Sequence, residues 1–176
     1  MNIKTSRIRK AELSDASSIA AISIEVWIGT YLKRGVAGFF ADYALEQFTA
    51  SKIEETLSAP GKLTFVSQNE EGIDGFITLS FDAPAPVQNC PVTEIATFYV
   101  QPRHHGRGIG KGLLEVATNH CRDIGIRSLW LATNAENSPA IAFYLSQGFE
   151  HIGETFFRIQ DQAYKNNVYR LEFAEH

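Results

Sequence analysis

A glycine-rich turn in the second half of the chain carries the clearest chemical signal. It lies between an apolar, β-branched run and a helical pattern, and its glycines are Gly106, Gly108, Gly110 and Gly112. Glycine permits positive φ angles and close backbone approach, so successive N–H groups at a helix N-terminus can converge on an anion. Arg103, Arg107 and Lys111 lie in the same segment, which holds no acid. The pattern predicts a site for a phosphate or a pyrophosphate.

Two familiar phosphate-binding loops fail on spacing. Whichever glycine begins the dinucleotide fingerprint Gly-x-Gly-x-x-Gly, its third glycine is replaced, by Lys111, Leu113 or Glu115. The Walker loop needs Ser or Thr after Gly-Lys, where this chain has Gly112. A glycine-rich connection without a ligand is the remaining alternative.

The turn resembles the phosphate loop of the GCN5-related N-acetyltransferase (GNAT) family. That loop reads Gln/Arg-x-x-Gly-x-Gly/Ala and follows a strand that often ends in an apolar-Val-x-Pro phrase. Here residues 98–102 read Phe-Tyr-Val-Gln-Pro, and residues 105–110 read His-Gly-Arg-Gly-Ile-Gly. One position departs from the family pattern, because His105 stands where Gln or Arg is usual.

A second phrase of the same family follows the next predicted strand. The chain matches Asn-x-x-Ala-x-x-x-Tyr-x-x-x-Gly-Phe from Asn137 to Phe149, with every named position in place. The two phrases occur in the family's order and spacing, and the resemblance extends from Ile8 to Leu171. The tail that begins at Gly148 is most similar to the polyamine (spermidine/spermine) N-acetyltransferase-like branch.

The resemblance implies an enzyme that moves an acetyl group from acetyl-coenzyme A (acetyl-CoA) to a primary amine, without a metal. The loop would hold the coenzyme pyrophosphate, and the preceding strand would pair with the pantetheine arm through its backbone. The Val100 N–H would donate to the thioester oxygen, and Asn137 would hydrogen-bond the pantetheine. The coenzyme contacts expected are Phe98, Tyr99, Val100, His105, Gly106, Arg107, Gly108, Ile109, Gly110, Lys111 and Asn137.

Two residues are the expected acid and base. Tyr144 holds the family's position for protonating the leaving thiolate, and it lies two helical turns after Asn137, so both project from one face. A core tyrosine is the alternative. Some relatives carry a catalytic Glu where this chain has Ala132, whereas others use a Glu near the start of the preceding strand, where Glu94 lies. A solvated carboxylate at a strand end is the alternative for Glu94.

The acceptor is expected to meet an aromatic segment in the N-terminal third. Trp27 and Tyr31 are the expected substrate contacts, with Phe39 and Tyr43 nearby. Aromatic rings in an acidic protein suit a cationic amine. A packed cap or a dimer surface is the alternative, and members of the family are often homodimers. Three other functions stay open: a non-catalytic acyl-CoA-binding or sensing module on the same fold, a protein N-terminal or lysine acetyltransferase, and a nucleotide-binding domain of another fold.

The elements that must position these residues mix strands and helices along the whole chain. The order β-α-α-β-β-β-α-β-α-β-β, without an internal repeat, predicts one domain over residues 1–176. The predicted class is α/β (α+β mixed), and the resemblance adds a central mixed, mostly antiparallel, splayed sheet flanked by helices. Local patterns predict a first strand at Ile3–Arg9, a helix capped by Ser14 and a second helix from about Leu45 to Leu57. The aromatic segment from Trp27 to Tyr43 is predicted to be the end of the first helix and a loop that packs over other residues.

Composition excludes several classes of protein. The 176 residues are 44% hydrophobic and 20% charged, which is typical of a globular chain. No apolar run approaches the length of a membrane span, and no secretory signal is evident. Two distant cysteines, Cys90 and Cys121, favour a reducing cytoplasm over a disulfide scaffold. The net charge of −4 argues against nucleic-acid binding. Residues 101–111 carry +3, so the rest of the chain carries −7.

Overall fold

The computed structural model describes residues 7–174, whose elements follow the predicted order with one added helix. The strands are β1 (Arg7–Lys10), β2 (Lys62–Gln68), β3 (Ile73–Ser80), β4 (Glu94–Val100), β5 (Ser128–Asn134), β6 (Glu150–Ile159) and β7 (Gln162–Glu172). The helices are α1 (Ala16–Tyr31), α2 (Gly38–Gln47), α3 (Ala50–Ser58), α4 (Ile109–Asp123) and α5 (Ser138–Ser146). The predicted strand Ile3–Arg9 lies partly outside the described residues.

The seven strands form one sheet in the order β1-β2-β3-β4-β5-β7-β6. The pairs β1–β2, β5–β7 and β6–β7 are antiparallel, whereas β4 and β5 are parallel, with Glu94 opposite Trp130. The sheet is therefore mixed, mostly antiparallel and open, with β1 and β6 at its edges. This arrangement, flanked by helices, confirms the predicted fold class.

The chain divides into two compact units. The first runs to Thr78 and includes Thr97–Ala117. Its hydrophobic core joins α1 to the inner strands through Ile19, Ile22, Val66 and Phe76, and Val26 and Tyr99 pack against this cluster. The spacing of Ile19, Ile22 and Val26 predicts this apolar helix face, so that part of the sequence analysis is confirmed.

The start of α1 differs from the prediction. No side chain caps α1, so the predicted Ser14 cap is absent. A 3-10 turn, Leu13–Asp15, precedes the helix, and the Asp15 Oδ2 accepts a 2.8 Å hydrogen bond from the Glu12 N–H at the start of that turn. The Arg9 guanidinium donates to both carboxylate oxygens of Asp15, at 2.8 and 2.9 Å. This bidentate, charge-assisted pair joins the turn to β1, a tertiary contact that the local pattern does not predict.

The first part of the aromatic segment ends α1 at Tyr31, as predicted, but the second part differs from the predicted loop because it is helical. α2 occupies Gly38–Gln47, where a loop was expected, and α3 begins after Thr49. The Thr49 Oγ1 accepts a 3.2 Å hydrogen bond from the Lys52 N–H, as an N-cap does. The glycines and bulky rings of this segment weaken the local helix signal, and packing against α1 supplies what the sequence pattern lacks.

The second unit includes Leu79–Ala96 and continues from Thr118. Buried side chains lie on both faces of the β5–β7 ladder. Leu129 and Leu131 share one face, whereas Val168, which pairs with Ala132, lies on the other, and all three are almost fully buried. The proline-rich loop 83–91 is confirmed, and the Trp130 indole N–H holds it by donating 2.8 Å to the Ala83 carbonyl. Within residues 7–174, no helix has the length and apolar character needed to cross a bilayer.

Candidate active site

The glycine-rich turn has the backbone geometry that anion binding requires. Gly106 and Gly108 have φ angles of +77° and +81°, a conformation that L side chains rarely adopt. Both are exposed, and α4 begins directly after them at Ile109. The first N–H groups of a helix have no acceptor within it, so this end of α4 presents donors and a positive dipole to solvent. The turn can therefore bind a phosphate through its backbone.

Gly112 has a different role from these two glycines. A Cβ atom at this position would lie 2.9 Å from the Ile8 Cδ1 of β1, so the absence of a side chain allows α4 to pack closely against the edge strand. The regular spacing of glycines thus combines two requirements, a left-handed turn and close helix packing. Sequence reasoning attributed all of them to the ligand, and for Gly112 the structure shows packing.

The three cations of the turn have unequal surroundings. Arg103 Nη2 lies 3.4 Å from Glu25 Oε1 of α1, and the Gln101 side-chain amide donates 3.0 Å to Glu25 Oε2. Arg107 Nη1 lies 3.2 Å from His104 Nδ1. Because histidine carries no negative charge, this contact does not neutralise the Arg107 guanidinium. Sequence reasoning missed Glu25, because no local pattern links it to residues so far along the chain.

His105 contacts the end of β4. Its Nε2 lies 3.0 Å from the Val100 carbonyl oxygen, and because a carbonyl only accepts, Nε2 carries the hydrogen in this contact. The ring was expected at the coenzyme phosphates. That contact stays a prediction, and in this structure the ring joins the glycine-rich turn to Val100, the residue whose N–H is predicted to meet the thioester oxygen.

The end of β4 is closely packed on one face. Tyr99 makes an edge-to-face contact with Phe76, with ring centroids 5.7 Å apart. Gly75 of β3 lies beneath, where a Cβ atom would be 3.0 Å from the Tyr99 carbonyl oxygen. By the alternation of a strand, Phe98 and Val100 point to the opposite face, and both are half-buried. The packing holds this backbone segment in a fixed position.

In the second unit, Asn137 and Tyr144 lie at the two ends of α5. Asn137 is the N-cap, since its Oδ1 accepts a 3.3 Å hydrogen bond from the Ala140 N–H, and Pro139 follows in the first turn, as the sequence predicted. Tyr144 is buried, with its ring 5.5 Å from that of Phe149 and 6.3 Å from that of Tyr169. Burial raises the pKa of the Tyr144 phenol, which therefore stays protonated at neutral pH.

Glu94 is the first residue of β4. It is half-buried and lies opposite Trp130 in the parallel register. The Trp130 N–H donates a 2.9 Å hydrogen bond to the carbonyl of Thr93, the residue before Glu94. The strand pairing thus fixes the backbone that carries this carboxylate. Its role as a base stays a prediction.

The expected acceptor residues belong to a packed aromatic cluster. Trp27 is only 5% exposed, and its ring lies within 4.7–6.1 Å of those of Tyr31, Tyr43, Phe40 and Phe48. Tyr31 is half-buried. For Trp27 the structure shows the packed cap that the sequence left as the alternative, and its contact with an acceptor stays a prediction.

The described part of the chain contains no evident set of metal ligands. Residues 7–174 contain no cluster of three or more His, Cys, Asp or Glu side chains that could hold an ion. The first unit thus contains an anion-binding turn and a fixed strand end, and the second contains a capped helix and a buried phenol.

Comparison with known proteins identifies the family. Residues 30–149 match the acetyltransferase (GNAT) family. The chain is 26% identical over 159 residues to an uncharacterized N-acetyltransferase in the pepI 3′ region of Lactobacillus delbrueckii subsp. lactis, covering 88% of this chain and 90% of that protein.

Two solved structures share the fold. The PaiA N-acetyltransferase of Thermoplasma acidophilum in complex with coenzyme A superposes with a TM-score of 0.75 at 20% identity, over 97% of this chain and 100% of that one. The structure of yncA from Salmonella typhimurium with its cofactor acetyl-CoA gives a TM-score of 0.66 at 18% identity, over 98% and 96% of the two chains. The match over residues 30–149 covers more than half of the chain, which therefore belongs to the acetyltransferase (GNAT) family and is an acyltransferase that uses acetyl-CoA.

Proposed function

We propose that this acetyltransferase moves the acetyl group of acetyl-CoA to the primary amine of a small molecule, by direct transfer in a ternary complex. The observation that carries the proposal is the turn before α4, where two left-handed glycines, Gly106 and Gly108, expose backbone donors beside Arg107 and Lys111. Related folds have been solved with coenzyme A and with acetyl-CoA, which supports the same ligand here.

The coenzyme is held by backbone donors and two cations. The pyrophosphate binds at residues 106–111, where N–H groups at the start of α4 and the Arg107 and Lys111 side chains meet its charge. The pantetheine pairs with the backbone of Phe98–Val100. Capping of α5 uses only the Oδ1 of Asn137, so the Nδ2 of that side chain donates a hydrogen bond to the pantetheine.

The backbone N–H of Val100 stabilises the reaction's developing charge. When the amine nitrogen attacks the thioester carbon, the carbonyl oxygen gains negative charge, and a fixed donor at that oxygen lowers the barrier. The hydrogen bond from His105 to the Val100 carbonyl restricts this residue's backbone, so the donor is oriented before the substrate arrives. His105 is a positioning residue in this proposal.

Tyr144 supports departure of the thiolate. The C–S bond breaks as the C–N bond forms, and the sulfur takes up negative charge that the Tyr144 O–H meets as a hydrogen-bond donor. Burial raises the pKa of this phenol, whereas a thiol has a pKa of about 8.5, so complete transfer of the phenolic proton to sulfur is uphill. The phenol therefore stabilises the thiolate chiefly through the hydrogen bond.

The attacking amine must lose its proton before it reacts. An alkylammonium has a pKa of about 10.4, so the reactive neutral form is scarce at pH 7. Glu94 is the proposed general base, acting directly or through water. The Glu94 carboxylate takes up the proton that the amine releases. The products are the acetylated amine and free coenzyme A.

The experiment is a steady-state analysis with acetyl-CoA and a panel of amines that includes a polyamine, an amino acid, an aminoglycoside and an N-terminal peptide. Release of free thiol measures turnover, and mass spectrometry identifies the acetylated product. Direct transfer predicts intersecting initial-velocity lines and no acetylated enzyme. Cys90→Ala serves as a control and should leave the rate unchanged. A covalent acetyl-enzyme, parallel lines, or thiol release without an acetylated amine would contradict the proposal.

A further inference from the structure

The first unit contains a cavity whose lining includes Tyr43 of the aromatic segment expected at the acceptor, but none of the expected catalytic or coenzyme contacts. Its volume is about 490 Å³, and it lies between the helices α1–α3 and the strands β2–β4. Small-molecule sites typically enclose about 300–1,000 Å³. The cavity is therefore large enough for a compact organic ligand.

Hydroxyl groups from three neighbouring strands line one wall of this cavity. They belong to Thr64, Thr78 and Thr97. Thr64 and Thr78 are buried, and their hydroxyl oxygens lie 2.8 Å apart. A hydroxyl both donates and accepts, so this wall can bind an amine or an ammonium group without carrying a charge.

Thr97 connects the cavity to the proposed chemistry. It lies on β4 directly before Phe98–Val100, the segment that pairs with the pantetheine in the proposed function. Consecutive residues of a strand are about 3.3 Å apart, so an amine on the threonine wall would lie within about 10 Å of Val100 along β4. The inference below rests on that proposed function.

The charged side chains of the lining are unbalanced. Lys52 and Lys62 line the cavity against a single acid, Glu55. Lys52 is half-buried, and its Nζ lies 3.4 Å from Gln47 Oε1. Because the glutamine amide is neutral, this contact does not neutralise the lysine ammonium. An excess of cations repels a polyamine and attracts an acceptor that carries a negative group.

Aromatic rings complete the lining. Tyr43, Phe48 and Phe76 all contribute to it. Burial raises the pKa of the Tyr43 phenol, which therefore stays a neutral donor. A site with apolar rings, uncharged hydroxyls and a lysine matches the three parts of an amino acid, which are a side chain, an amine and a carboxylate.

We infer that this cavity binds the acceptor, and that the acceptor is a small amine bearing a carboxylate, such as an α-amino acid, rather than a polyamine. The amine lies on the threonine wall, and the carboxylate is paired with Lys52. In the reaction the ammonium loses one proton to the base and a second as the C–N bond forms. The C–S bond breaks, the sulfur takes up one proton, and one proton is released. The carboxylate does not react.

The test compares amino acids with their own carboxamides, which keep the amine and the side chain but lose the negative charge. Spermidine represents the polyamines. We expect kcat/KM for the preferred amino acid to exceed that for its amide by about tenfold, as one charge-assisted contact does. Lys52→Met, which keeps the apolar stem, should abolish this preference and leave the KM for acetyl-CoA unchanged.

Lys10→Met, at an exposed lysine of β1 outside the cavity, is the matched control and should preserve the preference. Lys62→Met gives a second variant in case the first is poorly folded. Preference for spermidine, or an unchanged acid-to-amide ratio in both cavity variants, would overturn the inference while leaving the proposed function intact. Absence of transfer to every amine would reject the proposed function itself, and the inference with it.

Discussion

Burial of the Tyr144 phenol determines what this side chain can contribute to the reaction. Its ring is enclosed by Phe149 and Tyr169, and its pKa is raised because the phenolate would lose its hydration. A phenol in this environment keeps its proton throughout the range in which enzymes are usually assayed. In the proposed reaction Tyr144 therefore contributes its O–H bond rather than its ionisation.

Replacing Tyr144 with Phe removes that O–H group and keeps the ring. We expect kcat to fall by about a hundredfold, the lower end of the usual effect of a positioned proton donor. The Kd for acetyl-CoA should change little, and the alkaline limb of the kcat profile should keep its shape. Steady-state kinetics over a pH series and calorimetric titration with coenzyme A measure these quantities.

Tyr164→Phe is the matched control, because it removes the phenol O–H of a half-buried tyrosine on β7 that donates to Gln162 Oε1. It should retain the parental rate. A Tyr144→Phe enzyme with the parental kcat would leave Tyr144 as a core residue, which is the alternative that its sequence position also allows.

At the scale of the element, α5 shows how one side chain can serve both folding and binding. Asn137 uses Oδ1 to cap the helix, which leaves Nδ2 for the proposed pantetheine contact. Two substitutions separate these roles. Asn137→Asp keeps the acceptor and adds a negative charge at the helix N-terminus, whereas Asn137→Ala removes the cap.

We expect Asn137→Ala to lower the free energy of unfolding by about 1 kcal/mol and to weaken coenzyme binding. Asn137→Asp should keep the parental stability yet weaken coenzyme binding as much as the alanine variant does. Chemical denaturation and calorimetric titration measure the two properties. Parental coenzyme affinity in the aspartate variant would assign Asn137 to capping alone.

The start of α1 carries a pH-dependent contribution to stability. The hydrogen bonds from Arg9 lower the pKa of Asp15, and the Glu12 N–H and the charge of Arg9 lower it further, against the effect of desolvation. Because the pKa is lower in the folded state than in the unfolded chain, the carboxylate stabilises the fold above a pH of about 4. This contribution is lost as the pH falls through the lowered pKa.

Asp15→Asn should therefore cost about 1–2 kcal/mol at neutral pH, and the difference from the parent should shrink in acid. Thermal unfolding followed between about pH 7 and pH 3 measures this. Glu154→Gln is the control, because its 2.6 Å pair with Lys165 is about half exposed and such pairs contribute little. A loss of stability in Asp15→Asn that is equally large at every pH would show that the carboxylate's charge is not involved.

These elements also show what a sequence can predict. The Asn137 cap could be predicted because the side chain bonds to its own helix three residues later, within one local pattern. The hydrogen bonds of Asp15 in the turn before α1 depend on Arg9 in a separate strand, and no local rule gives the position of that arginine. The glycine-rich turn was recognised from its composition, whereas the packing of Gly112 against Ile8 required the tertiary structure.

The acceptor contacts of Trp27 and Tyr31 stay predictions, although Trp27 lies within a packed cluster. The wall of the cavity proposed for the acceptor combines Thr64, Thr78 and Thr97, which lie on three different strands. Threonine in a strand carries no functional signal of its own, so only the sheet order reveals the grouping.

At the scale of the whole molecule, the distribution of charge matters more than its total. A net charge of −4 conceals a segment of +3 at residues 101–111, against −7 elsewhere. Glu25 lies against Arg103, so Arg107 and Lys111 supply most of the positive potential that the exposed turn can offer to an anion. A small basic turn in an otherwise acidic protein attracts a polyanionic coenzyme to that turn.

This distribution predicts salt-dependent coenzyme binding. Raising the ionic strength from about 0.05 to 0.5 M shortens the range of electrostatic interactions to a few ångströms, so the Kd for coenzyme A should rise. Arg107→Ala and Lys111→Ala should each raise the Kd at low salt by about fivefold and reduce its salt dependence. Arg103→Ala should have the smaller effect, because Glu25 already opposes that charge. Calorimetric titration across the salt series measures all three variants, and equal effects of the three substitutions would show that Glu25 does not differentiate the cations of this turn.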